Sequence, residues 1–133
     1  MDMKGEEDPY MLTRMSIAAV VFALCASYAV AEERLGVTVY PGATYDQLMT
    51  TVLKKSPSME GAAYRTDAPM AKVTEFYRKQ GLLFLRLGDP SKERARFKKT
   101  DTGVDVVIQN PWKDPYTGAT MKGTLIMIIQ GRE

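Results

Sequence analysis

The sequence predicts an α+β fold, with an antiparallel sheet of about five strands and one or two helices packed on it. Three observations support this prediction. Several short segments have the alternating or wholly apolar pattern of strands, and two longer segments place apolar residues at helical spacing. The third is a hairpin, in which residues 93–99 and 104–110 flank the loop 100–103.

The hairpin has a register that the side chains themselves predict. With a loop of this length, Lys99 faces Val104 and Phe97 faces Val106. The apolar side chains of both strands then share one face and the charged ones share the other, as in a sheet with a single buried face. The predicted inward residues are Ala95, Phe97, Val104, Val106 and Ile108, and the outward ones are Arg94, Arg96, Lys98 and Asp105.

The first predicted helix covers residues 43–55, directly after the segment Tyr40-Pro41-Gly42-Ala43, which has the residues of a type II turn. Its apolar residues recur at helical spacing, so they would form one face. That face would consist of Tyr45, Leu48, Met49, Val52 and Leu53.

The second predicted helix starts after a cap at Thr66 or Asp67, has Pro69 in its first turn and ends at Gly81. Glu75 and Lys79 would form an i,i+4 pair on its outer side. Its buried stripe would consist of Met70, Val73, Phe76 and Tyr77.

The remaining strands are predicted at residues 35–40, 60–65, 82–87 and 123–130, with a long loop at 111–120. The last strand is apolar on both faces, from Leu125 to Ile129. Such a strand belongs inside a sheet that is covered on both sides. The cover would be two helices, or one helix and a partner protomer.

Residues 11–31 have the three parts of a secretory signal peptide: a short basic start, an apolar run and small residues before a cleavage site after Ala31. Residues 1–10 are acidic, whereas a signal peptide begins with positive charge. They are therefore interpreted as a start-site extension that precedes the true translation start at Met11. Residues 32–133 then form a single α+β domain. The protein is expected to be exported, to the periplasm or the cell exterior.

The absence of histidine restricts the chemistry, because it removes the serine–histidine and cysteine–histidine catalytic pairs and histidine metal sites. Cys25 would leave with the signal peptide, and no phosphate-binding or dinucleotide-binding glycine motif is present. No cofactor and no metal are predicted. Overall composition is that of an ordinary globular chain, with 45% hydrophobic residues and a net charge of +2.

A basic strand face is the first candidate binding site. Arg94, Arg96 and Lys98 would lie on one side of their strand and could contact an anionic lipid headgroup, polysaccharide or acidic protein. The alternative is a solvated outer face without a ligand. Nucleic acid is not an expected partner of an exported chain.

A loop with two aromatic residues between prolines is the second candidate. Trp112 and Tyr116 could offer a rigid stacking surface for a sugar ring or a peptide. The alternative is that Trp112 folds back and closes one end of a small core.

The turn Tyr40-Pro41-Gly42-Ala43, the segment Tyr64-Arg65-Thr66-Asp67 before Lys72–Tyr77, and the later Asn110-Pro111-Trp112 together resemble a group of small uncharacterised exported bacterial proteins. The resemblance covers most of residues 32–133 and implies a periplasmic or envelope-associated location. It implies no catalytic residues.

Together these observations predict a non-enzymatic binding or accessory domain of the bacterial envelope. Its partner would be an anionic envelope component, another envelope protein or a second copy of the chain. The alternative is a small carboxylate-dependent hydrolase acting on cell-wall polymer, because paired carboxylates can cleave glycosidic bonds without histidine.

Overall fold

The computed structural model describes residues 32–85 and 94–132. The predicted start-site extension, signal peptide and cleavage position lie outside these ranges, as do the end of the predicted strand 82–87 and Glu93. Within residues 32–85 and 94–132, no helix is long and apolar enough to cross a bilayer.

A six-stranded antiparallel sheet forms the centre of the described domain, which confirms the predicted fold class. In spatial order its strands are β3 (Thr44–Tyr45), β4 (Met59–Thr66), β10 (Thr124–Gly131), β7 (Val104–Gln109), β6 (Arg94–Lys99) and β5 (Leu83–Leu85). Two small hairpins accompany it, β1 (Glu33–Arg34) with β2 (Val37–Thr38), and β8 (Trp112–Lys113) with β9 (Thr120–Met121). The helices are α1 (Gln47–Lys54) and α2 (Met70–Arg78).

The predicted hairpin is confirmed, since β6 and β7 pair Lys99 with Val104 and Phe97 with Val106. All five residues predicted to point inward are buried.

The two helices cover opposite faces of the sheet. Helix α2 packs Val73 and Tyr77 into the larger core with Phe97, and α1 packs Met49 into the smaller core with Leu125. Strand β10 therefore has a helix on each side, which explains why its sequence is apolar on both faces. Since helices of the same chain pack on both faces of β10, its apolar sequence does not require a partner protomer.

The predicted strand 35–40 is wrong as a continuous element. Leu35 and Gly36 form a tight turn between β1 and β2, with φ of 53° and 79°. Two positive φ angles are what a type I′ hairpin turn requires, and Gly36 adopts its angle at no steric cost.

Helix α1 starts four residues later than predicted. Asp46 caps it by accepting a hydrogen bond from the Met49 N–H at 2.9 Å, while Thr44 and Tyr45 pair with β4 instead. The helix is also rotated from the predicted orientation. Leu48 is 44% exposed, whereas Thr50 is buried and its hydroxyl accepts a hydrogen bond from the Ala63 N–H at 2.9 Å.

Helix α2 starts at Met70 with Pro69 in the capping position and no side-chain cap, so the predicted capping role of Thr66 or Asp67 is wrong. Thr66 instead accepts a hydrogen bond from the Ala68 N–H. The predicted stripe is confirmed, with Phe76 half-buried and its other members buried, and Glu75 pairs with Lys79 at 3.8 Å.

The Tyr40–Ala43 turn is confirmed by a hydrogen bond from the Ala43 N–H to the Tyr40 carbonyl and by a φ of 83° at Gly42. It packs on α2, where the rings of Tyr40 and Phe76 meet edge to face at 5.3 Å.

The predicted long loop at 111–120 is partly ordered into the β8–β9 hairpin, which begins after a cis peptide bond between Asn110 and Pro111. This hairpin lies on the α1 side of the sheet, because Trp112 joins the smaller core.

Candidate functional site

Trp112 is the centre of the candidate site, but its ring is only 6% exposed. It packs with Met49, Ala63 and Leu125 under helix α1. This burial agrees with the alternative prediction that Trp112 closes one end of the core, and a binding role for Trp112 stays a prediction. Its indole N–H is buried without an acceptor among the described residues.

Tyr116 is 56% exposed and does not lie against Trp112 in the core. Its hydroxyl accepts a hydrogen bond from Lys55 Nζ at 2.9 Å, and the same ammonium lies 5.0 Å from the ring centroid. The shorter distance to the hydroxyl places the ammonium near the polar end of the ring. We therefore treat the contact as a hydrogen bond rather than as stacking of a cation on the ring face.

Asp114 holds the loop that carries Tyr116. Its carboxylate accepts hydrogen bonds from the backbone N–H groups of Tyr116 and Thr117 at 2.8 and 3.0 Å. These donors, Thr117 first, stabilise the charged form and lower the pKa of Asp114. The Asp114 carboxylate thus stabilises the loop through hydrogen bonds from the loop's own backbone.

The three predicted basic residues do share one face of β6, opposite the buried Ala95 and Phe97, but they differ in charge pairing. Arg96 makes two hydrogen bonds to Asp105, at 2.9 and 3.2 Å, and Lys98 lies 3.8 Å from the same carboxylate. Asp105 therefore offsets much of the charge at two of the three positions. Among the described residues, Arg94 has no ion pair.

Arg94 and Trp112 line the same cavity, which encloses about 400 Å³. We name it the Arg94 pocket; its other lining residues are Gln109, Pro111 and Lys113. Gln109 belongs here because it is the partner of Arg94 across the β6–β7 ladder. The β8–β9 hairpin then places Lys113 beside them.

The structure thus brings together Arg94 and Trp112 from the two predicted sites and separates them from Tyr116. Sequence reasoning missed Lys113. Its position one residue after Trp112 was visible, but its proximity to Arg94 depends on how the hairpin folds back over the sheet.

A second cavity, of about 320 Å³, also has Trp112 in its wall. We name it the Arg65 pocket. The other residues that line it are Gly42, Thr44, Arg65, Thr66, Asp67, Met121 and Lys122. None of them was predicted as a site residue, because they come from three separate chain segments that only the fold brings together.

Most carboxylates of the described residues have a structural partner. Asp46 caps α1, Asp114 holds its loop, and Glu32 accepts a hydrogen bond from the Tyr64 hydroxyl at 2.8 Å. Ion pairs account for Glu60 with Arg132, Glu75 with Lys79, Asp101 with Lys99, and Asp105 with Arg96. In this part of the chain no cluster of three potential metal ligands is present.

Two carboxyl groups have clear pKa shifts, and both are downward. The hydrogen bond from Lys99 lowers the pKa of Asp101, as the backbone donors lower that of Asp114. A general acid at neutral pH needs the opposite shift. These two groups are therefore suited to pairing and capping rather than to proton donation.

Comparison of the chain with family models, curated proteins and solved structures gave no match. The resemblance to small exported bacterial proteins therefore stays a prediction, and the site has to be interpreted from its own geometry.

Proposed function

We propose that this protein is an exported, non-enzymatic binding domain of the bacterial envelope, and that the Arg94 pocket holds an anionic group of its ligand. The observation that carries the proposal is the position of Arg94 and Lys113 around one cavity, without an ion-pair partner for either among the described residues.

Two cations that line one cavity repel each other, and an anion bound between them offsets that repulsion by attracting both. The guanidinium of Arg94 can also donate two parallel hydrogen bonds to a phosphate or carboxylate. Gln109 adds an amide donor, and Pro111 and Trp112 supply an apolar wall. This combination suits a phosphate or carboxylate that is attached to an organic group.

The neighbouring strand face extends the positive charge. Arg96 and Lys98 follow Arg94 on the same side of β6, and Asp105 is the only acidic residue that β7 places beside them. A long anionic surface or polymer could therefore occupy the pocket and still be attracted along the strand.

The carboxylates favour binding over hydrolysis. A glycosidase needs two carboxyl groups about 5 to 10 Å apart across its substrate, one of them with a raised pKa. In the described residues most carboxylates are engaged in caps, loops and ion pairs, as shown above, and the resolved shifts are downward.

The proposal is tested by sedimenting the purified protein with vesicles of phosphatidylglycerol and phosphatidylcholine at low salt. We expect retention on the anionic vesicles and a loss of at least fivefold in the double variant Arg94→Gln/Lys113→Gln, with neutral vesicles as background. The matched control is Lys72→Gln/Lys79→Gln, which removes the same charge from α2 and its C-terminal cap on the opposite face of the sheet. Equal losses in both double variants would mean that only net charge matters, and no retention at all would refute an anionic surface as ligand.

A further inference from the structure

We propose that the Arg65 pocket is a separate binding site for a small zwitterion, a free α-amino acid or a short peptide with unblocked ends. The proposal rests on charges of both signs that line one cavity without pairing with each other, and it does not depend on export or on the Arg94 pocket.

Four chain segments line the pocket, one of them at Trp112 in β8. The Tyr40–Ala43 turn and the start of β3 supply Gly42 and Thr44, and the end of β4 with the residue after it supplies Arg65, Thr66 and Asp67. Strand β9 and the residue after it supply Met121 and Lys122. A cavity of about 320 Å³ is at the lower end of the range for small-molecule sites and accommodates a molecule of amino-acid size.

The cations of the pocket are accessible. The side chain of Arg65 is 56% exposed, and the nearest carboxylate oxygen, on Asp46, is 3.9 Å from its Nε. That carboxylate also caps α1, so it is not committed to Arg65 alone. Lys122 is exposed and has no ion pair in the described part of the chain.

The anion of the pocket is Asp67. It is exposed and has neither a hydrogen bond nor an ion pair within the described residues, so neither Arg65 nor Lys122 approaches it within 4.0 Å. The backbone around it is fixed by the close approach of Gly123, where a Cβ atom would lie 2.9 Å from the Thr66 carbonyl oxygen.

Separated opposite charges around one cavity favour a ligand that carries both charges. Its carboxylate would lie near Arg65 and Lys122, and its ammonium group near Asp67. The hydroxyls of Thr44 and Thr66 can add hydrogen bonds, and Met121 and Trp112 provide apolar contact for a side chain. A simple anion would be repelled by Asp67 and a simple cation by the two basic residues, so the site discriminates against both.

The protein carries its own probe for this test, because Trp112 is its only tryptophan and lines the pocket. Purified protein is titrated with alanine, Ala-Ala and Ala-Ala-Ala, with Trp fluorescence and calorimetry as readouts. The matched ligands are N-acetylalanine, which lacks the ammonium group, and alaninamide, which lacks the carboxylate. We expect millimolar or tighter binding of the unblocked ligands and an affinity at least tenfold lower for both blocked forms. Tightest binding of alanine would indicate an amino-acid site, and tightest binding of Ala-Ala or Ala-Ala-Ala would indicate a peptide site.

Variants locate the ligand. Asp67→Asn should lower the affinity for alanine about tenfold and raise that for N-acetylalanine, because it removes a charge that attracts the ammonium group and repels the carboxylate, whereas Lys122→Gln should weaken both. Lys122→Gln is a surface change, so it keeps the test valid if Asp67→Asn affects folding. The Arg94→Gln/Lys113→Gln variant should bind alanine like the wild type, which separates this site from the proposed anion site. Equal binding of blocked and unblocked ligands, or no binding of any of them, would overturn the proposal.

Discussion

The hydroxyl of Tyr77 accepts a hydrogen bond from the backbone N–H of Tyr40 at 3.0 Å, and it donates one to the carbonyl of Thr38 at 2.9 Å. Tyr77 is fully buried, so these bonds fix the turn after β2 to the inner side of α2. The turn and the helix are also the two most distinctive sequence motifs of the chain. Tyr40 and Tyr77 thus have a structural role, since their contact joins the β1–β2 hairpin to the core.

Replacing Tyr77 with phenylalanine should destabilise the protein by about 1 to 3 kcal/mol, because two backbone groups of half-buried residues lose their partner while the ring stays in place. Urea unfolding followed by circular dichroism measures the change. Tyr116→Phe is the control, since that hydroxyl is exposed and bonds only to Lys55 among the described residues, and its effect should be below about 0.5 kcal/mol. Similar values for the two variants would contradict the buried role of Tyr77.

Stability should also fall at alkaline pH. Burial in the core raises the pKa of Tyr77 above its ordinary value of 10.0. A raised pKa in the folded state means that the stabilising contribution is complete below pH 10.0 and decreases as the pH rises further, because only the unfolded chain loses the proton easily. Urea midpoints measured from pH 8 to 11 should therefore decrease, and less steeply in Tyr77→Phe than in the wild type. Parallel slopes would show that another group causes the decrease.

The Asp105 carboxylate limits the positive charge of the strand face. Asp105→Asn should release Arg96 and Lys98 and strengthen binding to anionic vesicles at least twofold at low salt, an effect that added salt should reduce. Asp101→Asn is the control, since it removes one carboxylate from the β6–β7 loop, where its partner is Lys99. If both variants strengthen binding equally, the effect comes from net charge and not from the strand face.

Gly61 should tolerate no larger residue. Its φ is 151°, and a Cβ atom there would collide with the carbonyl oxygen of Ile128 on the neighbouring strand. Gly61→Ala should therefore destabilise the protein by about 2 to 4 kcal/mol, measured by thermal or urea unfolding. Gly131→Ala, at the end of the same strand pair and with its nearest neighbour atom at 3.9 Å, should change stability by less than about 1 kcal/mol.

The central hairpin and the buried strand β10 were predictable because their pattern and their environment agree locally. Lys98 and Asp105 lie opposite each other only in the register that also buries Phe97 against Val106. In contrast, the start of α1 was not predictable from helical spacing, because residues 44 and 45 can either extend the helix or pair with a strand. In the structure Thr44 and Tyr45 pair with β4, and Asp46 then caps the helix.

The candidate sites were harder to predict, because each of them combines residues that are distant in the chain. The aromatic loop and the basic strand were identified separately, and only the fold of the β8–β9 hairpin puts Lys113 near Arg94. Trp112 was predicted with both of its alternatives open. In the structure the indole is buried with Met49, Ala63 and Leu125, since a core of so few residues gains from every large apolar side chain.

The position of β10 also determines when the domain can fold. It is the last strand along the described chain, yet it lies in the middle of the sheet, between β4 and β7. Until it arrives, no strand joins β4 with its helix α1 to the β5–β7 meander. Folding of the sheet therefore depends on contacts between distant parts of the chain, and the sheet stays incomplete until β10 has been made.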